Sequence, residues 1–586
     1  MTARPYPETT AQQVEGGWGF NWVDVVLLLA VFALIWLVLS LGGDMRVHFS
    51  ELNPPPLSLD VRLIPYYTAR TVLRMFIAFG AAFLFTLIYG YAAAKSRRAR
   101  KVMLPALDIL QSVPVLGFLS ITVTGFIALF PGSLLGVECA SIFAIFTAQA
   151  WNMTFGLYHS LITIPDDLQE AASVHRLNRW QRLFTLELPA SAIGLMWNAM
   201  MSFGGGWFFV AQSEAITVLN KNIKLPGLGS YMAAAVEAGD TRAATYAIVA
   251  MVITIVIIDQ IVWRPLVAWA EKFKLEQTGT KDVPQSWLLD LLRRSLLLAR
   301  LLEWVRTEMR LASQRLSQLT ADAAEQIQAR APAPLRYSVR PVIWLLVAAG
   351  VAWLIMDAIH VAKEIRTEMT SSQMLHVVGL GFLTLLRVAA MMAIATVIWT
   401  PIGVWIGLRP RVARIAQPLT QIAASFPVNM TFPFVVGFFL WAHVPINYGS
   451  VLLMALGTQW YVLFNVIAGA MAIPTDMREA AGVFALHRWR LWKTLIIPAI
   501  FPFWVTGAVT ATGGAWNASI VAEVASWGKD RLAADGLGAF IAEVTEKGDK
   551  PAIYFSILVM AVFVVLINRV FWRRLYDLAE RRFRLA

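Results

Sequence analysis

The sequence predicts an all-α, multi-pass membrane protein of about twelve transmembrane helices, arranged as two parallel six-helix repeats. Composition is the first basis, because 58% of the 586 residues are hydrophobic and only 15% are charged, with a mean hydropathy of +0.61. Soluble domains average roughly 25% charged residues. The second basis is a duplication that relates the two halves of the chain. A bilayer is therefore the expected solvent for most of this surface.

Twelve apolar segments approach the roughly 20 residues that a membrane helix needs. The six in the first half are Val23–Leu41, Arg70–Ala94, Val113–Phe130, Ala140–Leu161, Leu188–Val210 and Ala243–Trp263. The six in the second half are Val342–Ile359, Leu380–Gly407, Val428–Trp441, Val451–Met471, Ile496–Ala518 and Ala552–Trp572. Proline and glycine interrupt the third span of each half. The first span lacks a secretory signal's basic flank and cleavage site, so it is expected to be retained.

The duplication is visible as short blocks that recur at a fixed spacing. Thr71–Arg74 (TVLR) recurs as Thr384–Arg387 (TLLR), 313 positions later (384 − 71). Ile164–Ala172 (IPDDLQEAA) recurs as Ile473–Ala481 (IPTDMREAA), 309 positions later (473 − 164). Since each half has an even number of spans, the two copies have the same orientation and can pack about an axis normal to the membrane.

Basic loops predict the orientation of the chain. Lys95–Lys101 (KSRRARK), its counterpart near Arg409, and the loops near Arg176 and Arg488 all fall on one side if the spans alternate. Lysine and arginine are enriched in cytoplasmic loops, so this side is expected to be the cytoplasm, with both termini inside. The net charge of +12 is explained in this way, without nucleic acid as a partner.

A connector separates the two repeats. Its centre, Ser286–Arg310, is leucine-rich with interspersed arginines, which is typical of an amphipathic helix at a membrane interface. The predicted domains are a tail, first span and outer loop (1–65), a first membrane core (66–273), a cytoplasmic linker (274–340), a seventh span and outer loop (341–378), and a second membrane core (379–586).

The most specific motif follows the fourth span of each half. The copies read EAASVHRLNRWQRLFTLELP (Glu170–Pro189) and EAAGVFALHRWRLWKTLIIP (Glu479–Pro498). A proline followed by acidic residues suits the start of a helix. These blocks resemble the EAA loop of binding-protein-dependent ABC importer permeases of type I, and the resemblance covers nearly all of both halves. In that family the loop docks in a groove of an ATPase subunit.

The resemblance implies a set of ATPase-coupling residues in the two loops. They are Glu170, Ala171, Ala172, Arg176 and Pro189 in the first loop, and Glu479, Ala480, Ala481, Ala485 and Pro498 in the second. The family usually has glycine six positions after the glutamate, where the chain turns. This sequence has Arg176 and Ala485 there, which is a departure from the family pattern.

Candidate residues for a substrate path lie on the second and fifth spans and just beyond. They are Arg74, Gly205, Trp207 and Glu214 in the first half, and Arg387, Gly514, Trp516, Asn517 and Glu523 in the second. Ionisable groups within a membrane are functional candidates. The alternatives are glycines that permit helix packing, tryptophans that anchor at an interface, and glutamates paired with arginines in structural ion pairs.

These blocks resemble most the nitrate, sulfonate, taurine and bicarbonate branch of the importers. The resemblance implies a small anion as substrate, two ABC ATPase subunits and an extracytoplasmic substrate-binding protein as partners, and the bacterial inner membrane as location. ATP and Mg would be used by the ATPase, with no cofactor bound by this chain and no catalytic residue in it. In agreement, the sequence contains no phosphate-binding loop and no metal-ligand cluster.

Two other function classes are weighed against the importer. An ion-coupled secondary carrier can also have two six-helix halves, but it needs a buried proton or ion relay. The best candidate acid, Asp259, corresponds in the second repeat to Asn568, so the two halves do not carry a matched pair of acids. A membrane-embedded enzyme would need a catalytic cluster, and the sequence offers none. Its one cysteine, Cys139, permits no internal disulfide.

Overall fold

A computed structural model describes residues 21–48, 57–218, 221–273, 286–301, 303–304, 307–308, 335–527 and 530–582 of the chain. Helices account for nearly all of this. Those of the first half are α1 (Trp22–Asp44), α2 (Ile64–Lys95), α3 (Arg97–Ser112), α4 (Val115–Leu129), α5 (Leu135–Ile162), α6 (Asp166–Val174), α7 (Arg179–Arg182), α8 (Leu188–Ser213), α9 (Leu228–Ala238), α10 (Thr241–Ile258) and α11 (Arg264–Ala270).

The connector and the second half continue the series. Their helices are α12 (Trp287–Arg293), α13 (Leu335–Glu368), α14 (Ser371–Gly407), α15 (Pro410–Ser425), α16 (Phe432–Ala442), α17 (Ile446–Met471), α18 (Thr475–Val483), α19 (Arg488–Leu491), α20 (Ile497–Ala522), α21 (Leu537–Lys547), α22 (Lys550–Ile567) and α23 (Arg573–Arg582).

Each half also has one short antiparallel hairpin at an equivalent position. Strands β1 (Ala215–Val218) and β2 (Lys221–Lys224) pair with Ala215 opposite Lys224. Strands β3 (Val524–Trp527) and β4 (Asp530–Ala533) pair with Val524 opposite Ala533. The all-α prediction is confirmed, because these hairpins are the only strands named in the described residues.

The described residues contain seven helices long and apolar enough to cross a membrane, or nine if each of two bent pairs is one span. The bent pairs are α3 with α4 at 87°, and α15 with α16 at 76°, where the sequence predicted interrupted spans. The three remaining predicted spans lie on α5, α8 and α13. A multi-pass membrane protein is therefore the right description.

The duplication extends to local irregularities of the helices. A π-helical turn precedes α8 at Leu183–Glu187, and another precedes α20 at Trp492–Ile496, 309 positions later (492 − 183). A second pair, Asp259–Trp263 and Asn568–Trp572, follows α10 and α22 at the same spacing. Such turns are rare, so their recurrence shows that both halves have the same backbone design.

The chain divides into two compact units. One comprises Met1–Gly43, Thr163–Met196 and Ile258–Leu345, and the other Asp44–Ile162, Trp197–Ile257 and Leu346–Ala586. Within the second unit α2 packs on α5, and α14 packs in the same way on α17. Small residues allow this closeness, since a Cβ at Gly90 or Gly403 would meet Leu157 at 3.2 Å or Val466 at 2.8 Å.

In the first unit, the described part of the connector contacts the first span. The buried Asp24 carboxylate accepts hydrogen bonds from the Ser295 hydroxyl at 2.6 Å and the Leu297 amide at 3.1 Å. The predicted helix Ser286–Arg310 is therefore interrupted, because α12 ends at Arg293 and a new helical turn begins after Ser295. Residues 274–285, 302, 305–306 and 309–334 of the predicted linker lie outside the described residues.

Candidate functional site

A cavity of about 380 Å³ lies within the second unit, where helices of both repeats meet. Helices α5 and α8 contribute walls from the first half, and α17 and α20 contribute the corresponding walls from the second. The junctions of both bent helix pairs close the cavity, through Gln111 and Val115 on one side and Phe426 and Val428 on the other. A volume of this order suits a small-molecule site.

Three of the predicted path residues line this cavity. They are Gly205 on α8 and Gly514 and Asn517 on α20. Trp207 and Trp516 occupy equivalent positions, but both are fully buried in helix packing and do not line the cavity.

The run of three glycines in α8 serves three different contacts. A Cβ at Gly204 would meet the Ser425 hydroxyl at 2.6 Å, and one at Gly206 would meet the Gln149 amide at 2.5 Å. Gly205 faces the cavity, with the Tyr461 hydroxyl 3.4 Å from the place a Cβ would occupy. Gly204 and Gly206 therefore permit close packing, while Gly205, which lines the cavity together with Gly204, leaves space in it.

The polar groups of the cavity are neutral. Among the described residues that line it none is charged, and the polar side chains are Gln111, Thr147, Asn152, Asn198, Ser202, Thr458, Tyr461, Asn465, Thr506, Thr510 and Asn517. Aromatic rings of Trp151, Phe208, Phe209 and Phe426 complete the wall. This lining can hydrogen-bond a solute without binding it by a fixed charge.

Asn517 also connects α20 to the start of the broken span α4. Its Oδ1 accepts a hydrogen bond from the Val115 amide at 2.8 Å. The first amides of a helix have no partner within the helix, so a side-chain oxygen stabilises this helix end inside the membrane. One predicted path residue thus has both a cavity-facing and a structural role.

The predicted charged residues form two buried clusters outside the cavity lining. In the first ion cluster (Arg70, Arg74, Glu138, Glu214), Arg74 binds Glu138 through Nε at 2.5 Å and Nη2 at 2.7 Å. Its Nη1 binds Glu214 at 2.7 Å. Arg70 donates to Glu138 at 2.5 Å, and all four side chains are fully buried. Two positive and two negative charges therefore neutralise each other.

Glu214 also organises the chain that follows it. Its Oε1 accepts from the Thr71 hydroxyl at 2.7 Å, and its Oε2 from the Gly229 amide at 2.7 Å. A Cβ at Gly229 would overlap the Ala211 backbone, so only glycine fits where α9 approaches α8. The GLG block is therefore explained by packing against a buried carboxylate.

The second ion cluster (Arg387, Glu523, Asn447) repeats part of this arrangement. Arg387 Nη1 binds Glu523 at 3.0 Å, while its Nη2 donates to the Asn447 amide oxygen at 2.8 Å. Thr384 and the Gly538 amide donate to Glu523, each at 2.8 Å. Asn447 stands 309 positions after Glu138, and Leu383 stands 313 positions after Arg70. One acid and one base of the first cluster are thus both replaced by neutral residues.

Each EAA segment folds as a helix, a tight turn and a second helix that continues into a long one. In the first loop (Asp166–Glu187) these are α6 and α7, and in the second loop (Thr475–Ile496) α18 and α19. Glu170 and Glu479 are exposed, as are Ala171 and Ala480. The second alanines, Ala172 and Ala481, are buried. Pro189 and Pro498 are half-buried just inside α8 and α20.

The turns explain how the chain accommodates the missing glycines. Arg176 and Ala485 take left-handed backbone conformations, with φ of 51° and 49°. In both loops the next amide bonds back five residues, Leu177 to Ala172 at 3.1 Å and Leu486 to Ala481 at 2.9 Å. This is the Schellman ending, in which glycine is the favoured residue. Both loops therefore keep the turn, at a cost of about 1 kcal/mol or more of backbone strain in each.

The sequence patterns did not predict some of the residues that the structure places in the site. Glu138, Arg70 and Asn447 complete the ion clusters, and Tyr461 lines the cavity. Glu138 carried one available signal, since an acid on an apolar helix is expected to have a buried partner. Within the described ranges, no group of three or more His, Cys, Asp or Glu side chains is placed to hold a metal ion.

Comparison with known proteins gives one family and a set of distant relatives. The model of the family described as "binding-protein-dependent transport system inner membrane component" matches twice, at residues 69–262 and 399–585, more than half of the chain. The nitrate import permease protein NrtB of Leptolyngbya laminosa is 23% identical over 185 residues, which cover 32% of this chain and 63% of that protein.

Two bicarbonate transport system permease proteins CmpB are similar at the same level. That of Synechococcus elongatus is 24% identical over 186 residues, 32% of this chain and 64% of the relative. That of Synechocystis is 26% identical over 187 residues, 30% of this chain and 59% of the relative. In each case the match spans less than two thirds of the relative's own length.

Proposed function

Because this chain belongs to the family of binding-protein-dependent transport system inner membrane components, we propose that it forms the translocation path of an ATP-driven importer. The observation that carries the proposal is the cavity of about 380 Å³, to which both repeats contribute equivalent helices. A path at the interface of two repeats can open to either side when the repeats move, which is the geometry that alternating access requires. The duplicated chain would supply both halves of the path by itself.

The two EAA loops are proposed as the coupling elements to two separate ABC ATPase subunits. Support comes from their exposed Glu170 and Glu479, and from the rigid helix–turn–helix that presents each of them. In the second loop α18 leads through α19 into α20, which contributes to the cavity wall. A partner that moved this loop would act directly on a cavity helix. ATP and Mg would be bound by the partners, and this chain would carry no catalytic residue.

A small anion, delivered by an extracytoplasmic binding protein, is the proposed cargo. Support comes from relatives whose names specify nitrate and bicarbonate, and from the neutral hydrogen-bond donors of the cavity. Amide and hydroxyl donors can solvate an anion without the strong binding that a buried arginine would impose. Gly205, Gly514 and Asn517 are the predicted residues that contact this space.

The ion clusters have a different role in this proposal. Trp207, Trp516 and the four charged residues Arg74, Glu214, Arg387 and Glu523 would shape the path by fixing helix positions rather than by contacting the cargo. The proposed organisation keeps the two cores at 66–273 and 379–586 and the linker at 274–340. The proposed location is the bacterial inner membrane, with the EAA loops and both termini cytoplasmic.

The test is co-purification of the chain with an ATPase encoded beside it, followed by ATP-dependent uptake in proteoliposomes. We expect that changing both Glu170 and Glu479 to Lys abolishes ATPase retention and uptake while the folded yield is kept. Glu543→Lys is the control, because it reverses an exposed acid of α21 that pairs with Lys547 of the same helix and lies outside both EAA loops. Uptake driven by a proton gradient without any ATPase would overturn the proposal in favour of a secondary carrier.

A further inference from the structure

The two EAA loops share the same helix–turn–helix pattern and the same left-handed turn residue, but they present different surfaces. In the second loop the rings of Phe484 and Trp489 are 76% and 70% exposed. In the first loop the exposed rings are Trp180 and Phe184, at only 38% and 39%. Exposed aromatic side chains are the residues that contribute most to protein interfaces when a partner buries them. The second loop therefore offers the larger apolar contact.

The loops also differ in internal bracing. In the first loop Arg182 donates to Gln169 at 2.8 Å and pairs with Glu187 at 3.1 Å, which ties α6 to the segment that follows α7. Asn178 and Gln181 form a capping box at the start of α7. The second loop has Arg478, Leu491 and Ile496 at the three bracing positions, and His487 begins α19 without a side-chain cap.

Charge gives a third difference. Between Asp166 and Glu187 the first loop has four acids and three arginines, a net charge of −1. Between Thr475 and Ile496 the second loop has two acids and four basic residues, a net charge of +2. Glu187 is buried, so the surfaces that two copies of one ATPase would meet have net charges of 0 and +2. An identical groove cannot be equally complementary to both.

We infer that the two docking sites are unequal, with the second loop (Thr475–Ile496) as the high-affinity site for an ABC ATPase whose groove is apolar with an acidic rim. This inference rests on the proposed function. The braced first loop binds its ATPase more weakly and acts as the stiffer lever of the two. In the absence of nucleotide, a complex that holds a single ATPase then holds it on the second loop.

Native mass spectrometry of the complex without nucleotide, with one ATPase titrated into the purified chain, measures this inequality. We expect Phe484→Ala with Trp489→Ala to weaken the tighter binding step by about 30-fold or more, as for loss of an interface hot spot. The matched pair Trp180→Ala with Phe184→Ala also removes two aromatic rings. It should change the weaker step by a few-fold and leave the tighter step in place.

Raising salt from 50 to 500 mM provides an independent reading. The tighter step should weaken severalfold, because attraction between a loop of charge +2 and an acidic rim is screened. Equal losses in the two double variants, or a tighter step that survives in the Phe484 and Trp489 variant, would overturn the inference. Failure of the wild-type chain to bind any ATPase would instead overturn the proposed function. Thermal unfolding of each variant verifies that all are folded, as expected for changes at exposed positions.

Discussion

The two buried ion clusters hold equivalent arginines by different means. Arg74 is held by two carboxylates, and Glu138 is shared with a second arginine, Arg70. Arg387 has one carboxylate, Glu523, and completes its hydrogen bonds on the side chain and backbone oxygens of Asn447, at 2.8 and 3.1 Å. The fully buried groups of each cluster are neutral, because the second lacks one acid and one base together; the half-exposed Asp44 lies 3.9 Å from Arg70 at the edge of the first.

This difference teaches that neutrality, rather than the number of ion pairs, is what a buried membrane cluster must keep. A single uncompensated charge at such depth is strongly unfavourable, whereas removal of an entire pair is tolerated. An additional arginine must also be buried by its neighbours. Arg70 lies fully buried near Tyr66 and Asp44, while Leu383 at the equivalent position is 41% exposed. An arginine at position 383 would therefore not be buried as Arg70 is.

The largest expected effect on stability comes from removing the carboxylate that the two clusters have in common, Glu523 or Glu214. Glu523→Gln leaves Arg387 with no carboxylate and should lower the free energy of unfolding by about 3–5 kcal/mol. Glu214→Gln also leaves one net positive charge in the first cluster, but both arginines of that cluster keep their bonds to the Glu138 carboxylate, so a smaller loss of about 1–3 kcal/mol is expected. Thermal unfolding in detergent, read as folded fraction by size exclusion, compares them. Equal losses would show that the extra acid of the first half gives no protection.

A second experiment converts the first cluster into the second. Glu138→Asn alone removes the carboxylate that Arg70 and Arg74 share and leaves one net positive charge, which should destabilise the chain by about 3–5 kcal/mol. The double change Arg70→Leu with Glu138→Asn restores neutrality and should recover most of that loss. The same unfolding assay measures both. If the double variant were less stable than the single one, neutrality would not be the governing requirement.

Substitution of the second glycine of each GLG block tests a feature that the two halves share, namely close helix packing at that glycine. At Gly538 a Cβ would lie 2.5 Å from the Ser519 carbonyl oxygen, and at Gly229 it would overlap Ala211. Because backbone atoms cannot yield, alanine at either position should cost about 1–3 kcal/mol, with similar values in both halves. Gly513→Ala is the control, since nothing lies within 4 Å of its Cβ position. A large difference between Gly229→Ala and Gly538→Ala would indicate unequal packing of α9 and α21.

The smallest expected effect is a gain in stability. Arg176→Gly and Ala485→Gly each relieve a left-handed backbone conformation, which should stabilise the chain by about 1 kcal/mol per site. Limited proteolysis of the loops, together with thermal unfolding, measures this gain. Equal gains are expected, because both turns have the same hydrogen bonds. A loss at either site would mean that the replaced side chain makes a stabilising contact.

Much of the architecture could be predicted from local sequence. The interrupted third spans, the helical EAA loops and the duplication depend on proline, on helix-start residues and on repeated blocks, all of which act over short distances. The sequence allowed two roles for Arg74 and Glu214, contact with the substrate or a structural ion pair with each other. Both residues lie on apolar helices, so each charge needs an oppositely charged partner. Short-range physics was sufficient for these features.

Other features depend on groups brought together from distant parts of the chain. Glu138 and Arg74 are 64 positions apart, and the amide of Val115 and Asn517 are 402 apart. No periodicity connects such residues. Arg176 is a different case, because its left-handed conformation opposes its own preference and is imposed by the helices on both sides.

A reciprocal exchange of large and small residues between the halves limits how the protein can be rebuilt. In the first half Gly156 of α5 accommodates Asn198 of α8, and in the second half Asn465 of α17 fits against Gly507 of α20. Transplanting one helix alone between halves would place asparagine on asparagine, or leave a hole between two glycines. Chimeric chains should therefore fold only when both helices of a pair are exchanged together. The smallest part that can be exchanged between the halves is thus the helix pair rather than the single helix.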